Sequence, residues 1–568
     1  MSQFSDDRYC SRLRTLVAHN PPVELLFDRK NISPKTKQLI ESCAPKARKE
    51  VKKEFWSSNK TLKYLSENDF YGGELPEVLV GMLVETDLLQ QTARPEYDLA
   101  IRSFGAIIQF LIDCLVAEEV ISMKLIEEYK PCDTNRLSDD HNSQQLPSHM
   151  ILDSFTIRNL EIFNNSLGGT EGTLNEVLDF CSTPFGRRLL HKWICAPLCA
   201  IDEIETRQKA VADLSNVSIR YEMEETIKLM KKLPDLERLL SKIHSQGSAK
   251  RAKSHPDSRA ILFESDVYSK RKIVDFLSVL DGFKQSMKIV ESFQKHIQLF
   301  KSSLLSKCLS LVSNGGRFPD LRGKLKYFDD AFDHKTAKQE GKVVPQPGAD
   351  VEYDQQMEKI DSITAKLNEY LVEQRKLFGC KVNYFGTGKN RFQLEVPESA
   401  VKRISKDDTQ YLLQSSRKGF KRYWTPYIQK QFEALLVAEE ARDAVLKDIM
   451  RRIFETFDKH YEVWSEAIEC LSLLDVLLSL SKSRSFLHQN GSAVCQPKFS
   501  NSKKPFINLI ESSNPCLLKY CDHFIPNDIR IESQLLLLTG PNMGGKSTLM
   551  RQLGLIVVMA QIGIIQLV

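Results

Sequence analysis

The chain has 568 residues, of which 42% are hydrophobic and 27% charged, and its formal net charge is +5. That length exceeds what one hydrophobic core supports and implies about three to five domains of soluble, globular composition. So mild a charge excludes a globally basic nucleic-acid binder, leaving only local surfaces, and no run reaches the uncharged length of a membrane span.

Residues from Met1 to about Tyr129 read as mixed α/β. Thr15-Leu16-Val17-Ala18 and Val23-Glu24-Leu25-Leu26-Phe27 flank Pro21-Pro22, which predicts two short strands around a turn. Ser33-Pro34 predicts a capped helix continuing through Lys35 to Cys43, and the apolar spacing from Leu99 to Ile126 predicts one further helix. Pro131 to Ser148 is polar and aperiodic, so a linker and a domain boundary belong there.

From Met150 to about Leu487 the pattern is overwhelmingly helical. Thr183-Pro184 followed by Phe185, Leu189, Leu190, Trp193 and Ile194 gives a capped start and one apolar face. Leu233-Pro234-Asp235-Leu236-Glu237-Arg238 opens another helix, and Ser245 to Ser258 is a basic polar loop. Tyr353 to Phe378 and Lys430 to Leu480 are periodic well beyond ordinary helix length, which suggests lever arms or coiled-coil-like supports. For any single stripe, core packing is the simpler account.

Between those arms the pattern changes. Lys381 to Phe385 and Arg391 to Val396 alternate as strands joined by a glycine-rich turn, and Ser416 to Trp424 mixes cations with aromatics. Lys389, Arg391, Lys418, Lys421 and Arg422 could lie along a phosphate backbone without reading sequence. A solvated basic loop explains the same composition equally well. Tyr423 and Trp424 read as core anchors of this module. The thirteen cysteines include no CxxC pair, and no hydrophobic leader follows Met1, which suits free thiols in a reducing compartment. Cys195 and Cys199 have no partners at zinc spacing and read as apolar residues.

Leu535 to Leu538, then Thr539-Gly540-Pro541-Asn542-Met543-Gly544-Gly545-Lys546-Ser547-Thr548, then Leu549 to Gln561 match strand, phosphate loop and helix of a nucleotide-binding P-loop. Gly540 and Gly545 let successive N–H groups turn toward a polyphosphate, and the helix starting near Lys546 aims its positive end at the same anion. Lys546 would reach the β and γ phosphates, and the Ser547 hydroxyl rather than Thr548 would take a Mg²⁺ position. A glycine-rich turn before a buried helix would need neither the lysine nor two hydroxyls.

The Pro541-Asn542-Met543-Gly544 filling of this loop, continued by Leu549-Met550-Arg551-Gln552, resembles the MutS-type mismatch-repair ATPases. Gly172-Thr173-Leu174 with Thr183 to Leu190 and Trp193, and Leu233 to Arg238, are similar to the same family's lever and helical core. Phe4-Ser5-Asp6-Asp7-Arg8, Ala331-Phe332-Asp333-His334, Gly419 to Trp424 and Phe524-Ile525-Pro526-Asn527-Asp528 are most similar to the sixth-homologue branch of its eukaryotic members.

The resemblance implies a multidomain, predominantly α fold. Its parts would be a mixed α/β connector and linker (1–148), lever helices (149–355), an inserted β-rich DNA-backbone clamp (356–429), returning lever helices (430–494), and the start of a P-loop, ABC-type α/β ATPase domain (495–568). It implies ATP and Mg²⁺ as cofactors, with Gly540 to Thr548 around the phosphates and Phe524 and Ile525 near the adenine. A hydrophobic wall under adenine is physically sensible, and a buried pair before a strand is the bland alternative. The implied function is ATP-dependent mismatch recognition in post-replicative repair in the nucleus. The implied partners are mismatched double-stranded DNA, a second MutS homologue and a MutL-type factor, with no membrane.

Departures from the family pattern add expectations. No Phe-x-Glu segment precedes the connector, and Gly563 to Val568 departs from the family's course, so the mismatch-probing domain and the acidic Mg²⁺-binding strand are expected to be absent. This chain would then bind ATP at most, because phosphoryl transfer needs groups contributing about 10³-fold each. The Leu535–Leu538 strand would lack parallel neighbours, and its helix would keep an uncovered apolar face. Ser513-Asn514-Pro515-Cys516 stands where the family has Arg-His-Pro. A non-catalytic DNA- or partner-interaction module and a meiotic MutS homologue are the alternative readings.

Overall fold

Helices start where capping chemistry puts them. The Ser33 and Thr183 side chains, each followed by proline, accept the N–H groups of Thr36 and Gly186 and open the helices Pro34–Cys43 and Pro184–Cys195. Asp235 and Asp350 do the same for Leu236–Gly247 and Val351–Phe378. The computed structural model describes residues 1–52, 54–131, 149–249, 265–401, 410–489, 494–502, 504–521, 524–532, 535–564 and 566–567. The described chain is predominantly helical, with four small sheets. The linker at Pro131–Ser148 and most of the loop expected at Ser245–Ser258 lie outside the described residues. The chain divides into two compact units, one of Met1–Arg259, Ser278–Arg322 and Asp458–Val568, the other of Ala260–Leu277 and Gly323–Phe457.

In the first unit, strands β1 (Glu24–Asp28) and β2 (Arg48–Lys52) pair in parallel. The strand expected at Thr15–Ala18 is instead part of the helix Ser11–His19. Leu13 and Val17 stand four residues apart and pack with Leu25, Ala44 and Ala47, so the helical period wins over β-branched propensity. The single helix expected over Leu99–Ile126 is two, Asp98–Asp113 and Ala117–Ile121. Leu115 adopts a left-handed φ of 61°, and the N–H groups of Val116 and Leu115 bond the carbonyls of Leu111 and Ile112 at 2.9 Å each. That is a Schellman ending without its usual glycine.

The centre of this unit is the helix Tyr461–Gln489, which packs on Pro184–Cys195 and Ile201–Leu214. Trp464, Leu471, Leu474, Leu477 and Leu480 are all at most 1% exposed, each contributing about 1.5–3 kcal/mol by burial. The expectation of one long helix over Lys430–Leu480 fails at Lys459–His460, where Pro426–Asp458 ends and Tyr461–Gln489 begins. Val463 and Trp464 turn their N–H groups to the His460 carbonyl, which restarts the ladder.

The second unit holds the helices Val351–Phe378 and Pro426–Asp458 and an antiparallel sheet. Strands β3 (Asn383–Phe385), β4 (Gln393–Pro397), β5 (Leu412–Arg417) and β6 (Phe420–Trp424) lie in the order β3-β4-β6-β5. Leu394, Val396 and Tyr423 share one face and join Leu367, Leu371, Ile428 and Phe432 in a single core. Tyr423 and Trp424 thus anchor the module, the Trp424 indole N–H reaching the Arg391 carbonyl at 3.1 Å. Elsewhere in the unit Phe276, Phe328, Phe454 and Phe457 pack edge to face and tilted, at 5.1–5.9 Å.

Near the end of the chain β8 (Ile507–Ser512) pairs with β9 (Asn527–Ile531), and β7 (Val494–Cys495) with β10 (Gln566–Leu567). The strand expected at Leu535–Leu538 does not form; its leucines are 37–83% exposed. No described strand lies parallel beside it, and a parallel ladder needs such a neighbour. The helix beside it, Lys546–Ile562, differs from expectation in the other direction. Leu555, Ile556, Val558, Met559 and Ile562 are buried, so its apolar face is covered by the helices Pro184–Cys195 and Ile201–Leu214.

Candidate functional site

The loop between Thr539 and the helix Lys546–Ile562 turns on two left-handed residues, Met543 at φ 63° and Gly545 at φ 80°. The Gly544 N–H closes the turn on the Pro541 carbonyl at 3.2 Å. Gly545 is the helix N-cap and brings no side chain to satisfy the first N–H groups, which leaves them for an anion. Lys546 folds its ammonium over the loop, donating to the carbonyls of Gly540 and Pro541, the latter at 2.7 Å. Gly540, Pro541, Asn542, Met543, Gly544, Gly545 and Ser547 are exposed, and Lys546 and Thr548 half-exposed, so the loop presents one continuous accessible surface.

These residues fit a polyphosphate. The cation stands in the curl of the loop, held by two neutral carbonyls that charged phosphate oxygens would outcompete. They also offer a magnesium ion the Ser547 hydroxyl. Among the described residues, no cluster of three His, Cys, Asp or Glu side chains could hold a metal by itself. Phe524 is half-buried and Ile525 is 82% exposed, immediately before β9.

The helix is braced at three points. The Arg551 guanidinium pairs with Glu161 at 2.9 Å, Gly554 lets the helix approach Leu160, and the Gln552 amide donates to Ser512. The segment at Ser513-Asn514-Pro515-Cys516 is buried and turned by the Asn514 side chain, which accepts the Cys516 N–H at 3.0 Å. Just beyond it, the Glu176 carboxylate accepts from Lys519 at 2.8 Å, from the Tyr520 hydroxyl and from the Gly172 N–H. Burial pushes Glu176 up, and those donors outweigh it to hold the carboxyl below its ordinary range. None of these braces was picked out from sequence. A glutamine heading the stripe 552, 555, 556 and 559 was the one available signal.

The five cations of the β module do not form one patch. Lys389 and Arg391 sit in the β3–β4 connection, at the Gln393 end of β4, whereas Lys418 and Lys421 belong to the β5–β6 hairpin, at the Pro397 end. Arg391 grips Glu439 through two bonds of 2.9 and 2.6 Å, which raises the arginine and lowers the glutamate from their ordinary pKa values. Arg422 pairs with Glu395 at 2.9 Å and stacks 3.2 Å over the Phe385 ring. Lys389 and Lys418 are exposed and Lys421 half-exposed, and among the described residues none of the three forms an ion pair.

Compared with known proteins, the chain matches MutS domain III over residues 155–481 and MutS domain V over residues 536–565. It is 44% identical to the DNA mismatch repair protein Msh6 of Homo sapiens over 99% of this chain and 43% of that protein. It is 43% identical to Msh6 of Gallus gallus, covering 99% of the chain and 44% of that protein. Identity to MSH6 of Saccharomyces cerevisiae is 30%, over 99% and 42% respectively. The chain therefore spans less than half the length of these relatives.

Proposed function

The chain belongs to the MutS family of DNA mismatch-repair proteins, and from that premise we propose that it is part of an ATP-dependent mismatch-recognition subunit that works in the nucleus. Its partners on this reading are mismatched double-stranded DNA, a second MutS homologue in a heterodimer and a MutL-type factor downstream. Residues 1–148 would be connector and linker, 149–355 and 430–494 the lever, 356–429 the clamp on the DNA backbone, and 495–568 the beginning of the ATPase domain.

The observation that carries this reading is the Lys546 ammonium, held inside the loop Gly540–Gly545 at the head of a helix whose other face is buried. ATP would place its β and γ phosphates against Lys546 and the first helical N–H groups, with Phe524 and Ile525 beside the base. Magnesium, when bound through Ser547, would neutralise phosphate charge. Lys389, Lys418 and Lys421, with Arg391 and Arg422 behind them, would follow the DNA backbone without reading bases.

Titration of the protein with Mg·ATP tests the central claim. Lys546→Ala should weaken binding at least about tenfold; unchanged affinity would reject the nucleotide site. A second reading, a module that holds DNA or a partner without turning over ATP, is favoured by the exposure of Leu535–Leu538. It requires DNA binding that is indifferent to nucleotide.

A further inference from the structure

Gln552 lies on the buried side of the P-loop helix and is fully inaccessible, at 0% exposure. Its side-chain nitrogen donates to the Ser512 carbonyl at 2.8 Å and to the Ser512 hydroxyl at 2.9 Å. The orientation of the amide follows from chemistry, because a backbone carbonyl only accepts and so must face the NH₂ group. Its Oε1, also buried, has no hydrogen-bond partner among the described residues. A residue that served packing alone would be leucine or methionine, which carry no buried acceptor to satisfy.

Ser512 is a junction. It ends β8 just after Glu511, whose φ of 50° is left-handed, and a register shift separates it from Leu509. It pairs with Asn527 of β9, and the Glu511 N–H donates to the Asp528 carboxylate at 2.7 Å. Asn527 and Asp528 directly follow Phe524-Ile525-Pro526. From Lys546 the rigid helix runs six residues, about 9 Å, to Gln552; from there the path passes through Ser512 and Asn527 to Phe524.

We propose that Gln552 is a positioning residue that fixes the distance between the phosphate loop and the segment Phe524–Ile525, so that a ligand with both a triphosphate and a purine is bound as a unit. The inference rests on the ATP-binding reading above and deepens it. Gln552 touches no nucleotide itself; it acts by holding the helix that carries Lys546 and Ser547 against the strand that follows the purine contacts.

The test compares Mg·ATP with inorganic tripolyphosphate, which has the phosphates and lacks the base, on the whole chain and on Gln552→Met. Loss of registration should weaken ATP about tenfold and tripolyphosphate less than about twofold. Ser512→Ala keeps the carbonyl and loses the hydroxyl contact, and should shift the ratio of the two affinities the same way by about threefold, which serves if Gln552→Met fails to fold. Equal weakening of both ligands in either folded variant overturns the proposal, since a merely structural role would spare neither. So does an unchanged ratio. Failure of the nucleotide reading itself has a different signature: Lys546→Ala leaves ATP affinity intact, or the unaltered chain binds neither ligand.

Discussion

Asp475, on the central helix, accepts the Thr183 N–H at 2.8 Å and the Thr183 hydroxyl at 2.6 Å, across 292 residues of sequence. The Ser182 N–H reaches the same carboxylate at 2.9 Å, and Thr183 in turn caps the helix Pro184–Cys195 through the Gly186 N–H at 3.0 Å. One buried carboxylate therefore joins a helix start to the helix beneath it. Asp475→Ala strands two buried N–H donors and loosens a cap, and should cost about 2–4 kcal/mol. Burial raises the Asp475 carboxyl above its ordinary pKa, more than its donors lower it. The raised folded-state value means that its stabilising contribution is complete below the ordinary carboxylate pKa and declines as pH rises through the folded one. The difference in unfolding free energy between the parent and Asp475→Ala should be larger near the ordinary carboxylate pKa than at about pH 8; the opposite trend would show that its donors outweigh burial.

Gly186 is where that junction is tightest. A Cβ built there would stand 2.3 Å from the Asp475 Oδ2 and 2.9 Å from its Cβ. The carboxylate cannot swing aside without releasing its donors, so Gly186→Ala should destabilise by about 1–3 kcal/mol. Combined with Asp475→Ala, which removes the Oδ2 and Cγ contacts and leaves only the one to Cβ, the loss should be less than the sum of the two singles, and strict additivity in a double-mutant cycle would contradict the contact.

What the sequence made legible was local. Ser33, Thr183 and Asp235 stand next to the N–H groups they cap, so spacing alone locates those helices, and the alternation in Lys381–Phe385 and Arg391–Val396 places β3 and β4. The Pro541-Asn542-Met543-Gly544 filling carried the family. Hidden were partners far apart in the chain. Nothing near Arg391 says that Glu439, 48 residues on, occupies its guanidinium, or that Glu395 occupies that of Arg422. The break at Lys459–His460 was also hidden, because the apolar stripe continues on both sides of it. Leu535–Leu538 reads as a strand because buried parallel strands are apolar, yet an apolar run becomes a strand only beside another.

The division among the cations of the β module has a measurable consequence. Lys418 and Lys421 lack ion-pair partners among the described residues, whereas Arg391 is held by Glu439 in a two-bonded pair. If the module follows a DNA backbone, Lys418→Ala with Lys421→Ala should flatten the dependence of log affinity on log salt by about 1.8, as expected for two phosphate contacts. Arg391→Ala should instead lower the stability of the module by about 1 kcal/mol and leave the salt slope nearly unchanged. A salt slope unmoved by the double substitution would remove these lysines from the DNA interface.

His244 makes a second long-range junction in the first unit. Its Nδ1 lies 2.7 Å from the Asp458 carboxylate and its Nε2 lies 2.8 Å from the Ser122 hydroxyl, which also donates to the Glu118 carbonyl. The ring thus ties the end of Ala117–Ile121 to Leu236–Gly247 and to Asp458, which begins the last stretch of the first unit. These side chains line a cavity of about 920 Å³ together with Arg317, Tyr461 and Glu462. His244→Phe keeps the ring volume and removes both polar contacts, so it separates hydrogen bonding from packing. It should cost about 1–3 kcal/mol and speed amide exchange across residues 117–126. Stability lost without faster exchange in that segment would mean that the histidine braces Asp458 alone, since only the Ser122 contact reaches the N-terminal helices.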